Sequence, residues 1–261
     1  MNYLVEGLQG SGKSTLVQKL SELYPDCTVY REGDYSPIEL AWCAYVTEPQ
    51  YERILGAYPD LRTQIETKTV REGDRRVVCY TQVRTENRDF YRDLEQYEIY
   101  NLRVSYPDFR AIVLSRYQKW NQDQTISECA LFQNTVEDMT LFRNAPDEEV
   151  IAFYRRVREA LEGKPYHILY LKTDDIKGNL DVIRKERSDD QGHELWFPMM
   201  LGFFNDSPYA KENGLRDEEG LLAHFAHRQE LELRICREVF PDHVTILPSK
   251  GYQDLEGVIR E

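Results

Sequence analysis

The chain has 261 residues, with 33 Lys and Arg against 46 Asp and Glu, and so a formal charge of −13 at neutral pH. Its 41% hydrophobic content is enough to fill a core and excludes wholesale disorder. The acidic balance argues against a general nucleic-acid coat, which needs clustered Lys and Arg, and the longest apolar run, 195–204, falls short of the roughly 18–20 residues of a membrane span.

The first residues, Met1-Asn2-Tyr3-Leu4-Val5-Glu6-Gly7, have no basic region and do not read as a signal peptide. Residues 2–6 form an apolar strand pattern, followed by the glycine-rich stretch 7–12 and a helix over 13–23 with Leu16, Val17, Leu20 and Leu23 at helical spacing. A short strand follows at 28–30. From 36 to about 106 the pattern changes. Helices are predicted over 37–46, 48–55 and 88–100, and a hairpin over 68–70 and 76–83; this stretch reads as an insertion into a single domain spanning 1–261. Beyond it, helices are predicted over 109–120, 147–162, 180–187 and 218–239, and strands over 124–128, 167–171 and 244–247. The cluster Trp196-Phe197 to Phe203-Phe204 reads as a core helix, and His224 and His227 as a surface pair. Strands alternating with helices imply an α/β fold with about five parallel strands. Cys27, Cys43, Cys79, Cys129 and Cys236 show no CxxC or Cys/His spacing, so they are expected to be reduced, buried small hydrophobes in a cytoplasmic protein, with neither a disulfide framework nor a zinc site.

The segment Gly7-Leu8-Gln9-Gly10-Ser11-Gly12-Lys13-Ser14-Thr15 fits GxxxxGK[ST] throughout. Glycines at this spacing let backbone N–H groups approach phosphate, and the following helix adds its positive end. Lys13 is placed to reach the β- and γ-phosphates and Ser14 to bind Mg²⁺. Gly7, Gln9, Gly10, Ser11, Gly12, Lys13, Ser14 and Thr15 are therefore the expected nucleotide-binding residues. No NKxD base-reading motif is present, and single acids follow two other strands. Glu32 and Asp34 come after the second strand, expected beside the phosphate-loop strand, where a carboxylate can take an acceptor's proton. Glu128 ends the 124–128 strand as a metal candidate with Ser14, and Gln133 and Asn134 follow it. Arg184 and Arg187 share a helix face next to the charged stretch 188–192. Glu39, Trp42, Arg103 and Arg116 are further polar or aromatic candidates for the acceptor cleft.

In these features the chain resembles the deoxynucleoside and thymidylate kinase group of P-loop kinases, and more distantly the tunicamycin-resistance type of P-loop protein. Glu6–Thr15 is of their EGxxGSGKST type, Tyr30-Arg31-Glu32-Gly33 stands where thymidylate kinases have R-E-P-G, Ser127-Glu128-Cys129 where they have E-R-S or D-R, and 184–192 where they have an arginine-bearing lid. The resemblance implies a P-loop three-layer sandwich, Glu32 as base, Arg184 and Arg187 as ATP contacts, and phosphoryl transfer with ATP and Mg²⁺. Cys129 in place of the arginine and Gly33 in place of the proline leave the acceptor open. The expectation is an ATP-dependent phosphotransferase acting on a hydroxyl or phosphate of a small molecule such as a nucleoside or nucleotide. Lys13, Glu32, Asp34 and Arg187 would be its catalytic residues, with no membrane or general nucleic-acid partner, and a homodimer is left open. The alternative is a non-catalytic or slowly hydrolysing regulatory protein that binds a nucleoside triphosphate.

Overall fold

The computed structural model describes residues 1–250. In chain order the elements are β1 (Asn2–Gly7), α1 (Lys13–Leu23), β2 (Thr28–Tyr30), β3 (Ala44–Thr47), α2 (Glu48–Ala57), α3 (Arg62–Thr67), β4 (Thr69–Glu72), β5 (Arg75–Val78), α4 (Arg88–Glu95), α5 (Tyr106–Lys119) and β6 (Thr125–Glu128). Then come α6 (Gln133–Glu137), α7 (Asp147–Ala160), β7 (Tyr166–Lys172), α8 (Ile176–Glu186), α9 (Trp196–Asp206), α10 (Pro208–Asn213), α11 (Asp217–Val239) and β8 (Val244–Pro248). The chain divides into two compact units: Met1–Val29 together with the chain from Asn121 onward, and Tyr30–Trp120. The expected insertion at 36–106 falls inside the second.

The first unit is built on a five-stranded parallel sheet flanked by helices, in the order β2-β6-β1-β7-β8. β1 is buried along its whole length because it has a neighbour on each side: Tyr3 pairs with Ile126 of β6 and with His167 of β7. Alternation along the strands sends Tyr3, Val5, Leu169 and Leu171 to one face, where Leu16, Val17 and Leu20 of α1 cover them. On the other face the Tyr170 hydroxyl donates to Glu232 of α11 at 2.7 Å. β2 lies at the sheet edge with β6 between it and β1. This corrects the expectation that the strand before Glu32 adjoins the phosphate-loop strand: the chain crosses to the edge first and fills the gap later.

The second unit has a three-stranded sheet, β3-β5-β4, with Val46, Val78, Ile54, Leu55, Phe90 and Leu94 in its core. Residues 37–46 do not form the predicted helix. Pro37 and the positive backbone angle of Trp42 (φ 63°) interrupt helical geometry, and 44–47 pairs as a strand with β5. Strand β5 ends at Val78 rather than 83 because residues 80–82 wind into a tight 3-10 turn, with Gln82 N–H bonding Cys79 O and Val83 N–H bonding Tyr80 O, both at 3.1 Å. Helix α4 ends at Glu95 rather than 100, and Tyr97 O accepts from Tyr45 N.

In the first unit α6 is an element that periodicity did not reveal. His224 is buried beside Phe204, while His227 bonds Asp147 at 2.8 Å, so the expected surface pair is not one. In α9, Phe197, Met200 and Phe204 are core residues, but Met199 is exposed, as is Leu195 just before the helix.

Candidate functional site

The nine-residue motif bridges β1 and α1 at the carboxyl edge of the parallel sheet, where open α/β sheets bind ligands. The loop is closed by Ser11 N–H to Leu8 O, 3.2 Å. Gly10 has φ +73°, and a Cβ there would meet the Ile183 side chain of α8 at 2.2 Å, so any other residue is strained at this backbone angle and has to push that side chain aside. Gly12 opens α1 in the left-handed region, φ 96°, with no side-chain cap and no acid in the first turn. The first-turn N–H groups of α1 thus face outward with the helix's positive end.

Lys13 is buried, and its ammonium donates to Gly7 O and Leu8 O, both at 2.8 Å. Two of its three donors are thus used within the loop. Ser14 and Thr15 are exposed on the same turn. Asn179 of α8 donates to Gln9 O at 2.6 Å, and Ser249, just past β8, to Ser11 O at 2.9 Å, so the loop is clamped on two sides.

β6 lies beside β1 with Val5 opposite Glu128. This brings the Ser14 hydroxyl to Glu128 Oε1 at 2.5 Å. One hydroxyl and one carboxylate beside an anion-accepting helix end are the oxygen donors that Mg²⁺ takes when it keeps waters and binds phosphate oxygens. The residues present fit the ion, and Ser14 and Glu128 would hold it. Cys129, where the resemblance would have arginine, adopts φ 57° and donates its N–H to Val5 O. The Cys129 thiol turns to Gln133, and Asn134 donates to Cys129 O, so these polar residues brace the strand end.

Beneath the loop lies a buried charge cluster that sequence reading missed. Arg228 of α11 is fully buried and donates to Glu137 at 2.5 Å and to Gln9 Oε1 at 2.6 Å, with Glu232 at 3.2 Å. Gln9 therefore faces inward, not toward a ligand. Glu6, also fully buried, accepts from Leu131 N at 2.6 Å. Burial pushes its carboxyl up from 4.5 to about 8, with Glu232 adding to the rise and Lys13 opposing it; burial raises Glu232 as well. In sequence, Arg228 and Glu232 are an i, i+4 pair indistinguishable from a solvated one, and nothing local marks them.

The arginines of the expected lid are placed differently from one another. Arg184 is engaged with Glu194 (2.8 and 3.1 Å) and Glu218 (2.8 Å) and lies over Phe197 at 4.0 Å. Arg187 is exposed, over the Trp196 ring at 5.2 Å. The stretch 188–194 folds back on itself through a Ser188–Glu194 bridge and through Asp189, which accepts from the backbone N–H groups of Gln191 and His193.

In the second unit Asp34 and Glu32 differ sharply. Asp34 Oδ2 accepts from Arg31 N at 3.0 Å and Oδ1 from Gln82 at 2.6 Å. Glu32 is exposed, and its Oε1 accepts from the Trp42 indole at 3.1 Å. Trp42 is itself half exposed. Glu39 is taken by Leu40 N, Ala41 N and the Tyr100 hydroxyl, Arg116 is buried on Glu72 and Ser36 O, and Arg103 pairs with Glu95. These three therefore hold the unit's own fold.

A cavity of about 330 Å³ lined by Arg158, Leu161, Lys164, Tyr166 and His243 lies at the amino ends of β7 and β8, the opposite edge of the sheet from the glycine-rich loop. No helix among the described residues is long and apolar enough to cross a membrane. Comparison with protein-family models gave no match, and neither did comparison with curated proteins.

Proposed function

We propose that the chain is an ATP-dependent phosphotransferase that uses Mg²⁺ and passes the γ-phosphate to a hydroxyl or phosphate of a small molecule. The observation that carries this reading is the grouping, at one strand-to-helix turn, of the Lys13 ammonium, the uncapped start of α1 and the 2.5 Å Ser14–Glu128 pair. Phosphoryl transfer needs positioning and charge stabilisation far more than covalent chemistry. The loop amides and Lys13 bind and orient the phosphates. Ser14 and Glu128 hold the metal, which when bound neutralises charge on the phosphate oxygens. Glu32, the exposed acid of the two, would take an acceptor's proton, whereas Asp34 has both oxygens engaged by Arg31 N and Gln82.

Lys13→Ala should lower turnover of Mg·ATP at least about a hundredfold, the loss typical of removing one electrostatic stabiliser. Turnover unchanged in that variant would sink the reading. The engagement of Arg184 by Glu194 and Glu218 favours a second reading, a nucleotide-binding regulator with slow hydrolysis. Under it, Mg·ATP binds with Lys13 dependence, yet no acceptor among nucleosides, nucleotides and sugars raises turnover.

A further inference from the structure

Cys43 and Cys79 stand far apart in sequence and meet in the second unit. The antiparallel register of β3 and β5 sets Ala44 opposite Val78; one step further sets Cys43 opposite Cys79. The Cys43 N–H bonds Leu40 O and the Cys79 N–H bonds Lys68 O, so the two cysteines do not exchange backbone bonds. Such cross-strand positions hold their Cα atoms about 4.5 Å apart, inside the range a disulfide spans without moving the main chain. The thiols are free, both buried, with sulfurs 3.6 Å apart and Cys43 donating to Cys79. Side-chain rotation alone closes that gap.

We propose that Cys43 and Cys79 form a peroxide-sensitive dithiol whose disulfide clamps β3 to β5. The hydrogen bond from Cys43 favours thiolate on Cys79, whose acidity it raises, while the Cys43 thiol is pushed the other way by the same bond and by burial. Cys79 is therefore the attacking sulfur. Its thiolate takes one oxygen from a hydroperoxide, giving a sulfenic acid and releasing water (an alcohol from an organic hydroperoxide). The Cys43 sulfur then displaces that oxygen as a second water, forming the S–S bond. Two electrons leave the thiols and reduce the peroxide. The oxidant must be small, since both cysteines are buried and are reached through local opening. The bond closes a loop that contains α2, α3, β4 and β5, a long constraint on the unfolded chain.

The test treats the reduced full-length protein with hydrogen peroxide, followed by intact mass and non-reducing peptide mapping. The expected result is a species two hydrogens lighter, with two fewer alkylatable thiols, a Cys43–Cys79 linked peptide, and full reversal by dithiothreitol. The oxidised form should melt roughly 5–10 °C higher, as a disulfide closing a loop of this length predicts. Cys43→Ser and Cys79→Ser should each abolish the linked peptide. If either variant fails to fold, the wild-type map still decides. Added oxygen on Cys79 without a link, a link to Cys27, Cys129 or Cys236, a link between chains, or an oxidised form that melts no higher would each overturn the proposal.

Discussion

Glu32 and Asp34 are two residues apart and chemically alike, yet their surroundings give them different work. Asp34 spends both oxygens on Arg31 N and Gln82, so Asp34→Asn should cost about 1 kcal/mol of stability, the worth of one such bond, and leave kcat of the folded protein unchanged. Glu32→Gln should leave the melting temperature unchanged and lower kcat about a hundredfold or more, as expected for a general base. Kinetics and thermal melts on the two variants check this, and the reverse pattern would move the base to Asp34. Glu6 offers a second residue-level test through pH. Its native carboxyl holds a proton up to about 8 against 4.5 unfolded, so between those values the folded state binds more protons and stability falls as pH rises. Glu6→Gln keeps an oxygen for Leu131 N and removes the titration. The variant's melting temperature should therefore decline less than wild type from pH 5 to pH 8, by at least about 2–4 °C, the shift that ~1 kcal/mol makes in a chain of this size.

Elements with one strong period were legible in the sequence, and those set by long-range partners were not. The spacing of Leu16, Val17 and Leu20 gave α1 with its bounds, and the buried run 167–171 gave β7. The run 37–46 failed because apolar residues there serve an irregular stretch and the strand β3, which only pairing with β5 defines. Within the candidate site, the glycine-rich turn between β1 and α1 was legible because its motif is contiguous in sequence. Arg228, Glu137 and Asn179 were invisible because their partner, Gln9, lies in a distant part of the chain. Helix α8 shows what that omission conceals: through Asn179 and Ile183 it rests on the loop, while its last turn carries Arg184, tied to Glu194 and Glu218. For Arg184 to reach a nucleotide it must leave those carboxylates, and Arg187 has only to leave the Trp196 face. Adding Mg·ATP should therefore slow hydrogen exchange in 184–192, and Arg187→Ala should reduce kcat about tenfold or more with ATP affinity within a few-fold. Equal exchange with and without nucleotide would assign the Arg184 contacts to fold maintenance alone.

At the scale of the molecule, two units have separate cores, and the proposed phosphate- and metal-binding residues, Lys13, Ser14 and Glu128, belong to the first. The chain carries a net charge of −13, and an additional polyanion is acceptable only where local positive groups outweigh that background. Lys13 and the start of α1 supply part of this, and the acid beside Ser14, Glu128, works against it unless a divalent cation lies between carboxylate and phosphate. Metal dependence should therefore be visible in global stability. A ligand at a hundred times its Kd adds about 2.7 kcal/mol, which in a chain of this size raises the melting temperature by roughly 5–10 °C. Mg·ATP should give a shift of this order, and ATP with EDTA a clearly smaller one. Glu128→Gln removes both the repulsion and the metal's carboxylate, so in that variant the two shifts should become equal, with the EDTA value at or above wild type. Differential scanning fluorimetry across the four combinations checks this, and a full Mg²⁺ increment retained in Glu128→Gln would place the metal's carboxylate elsewhere.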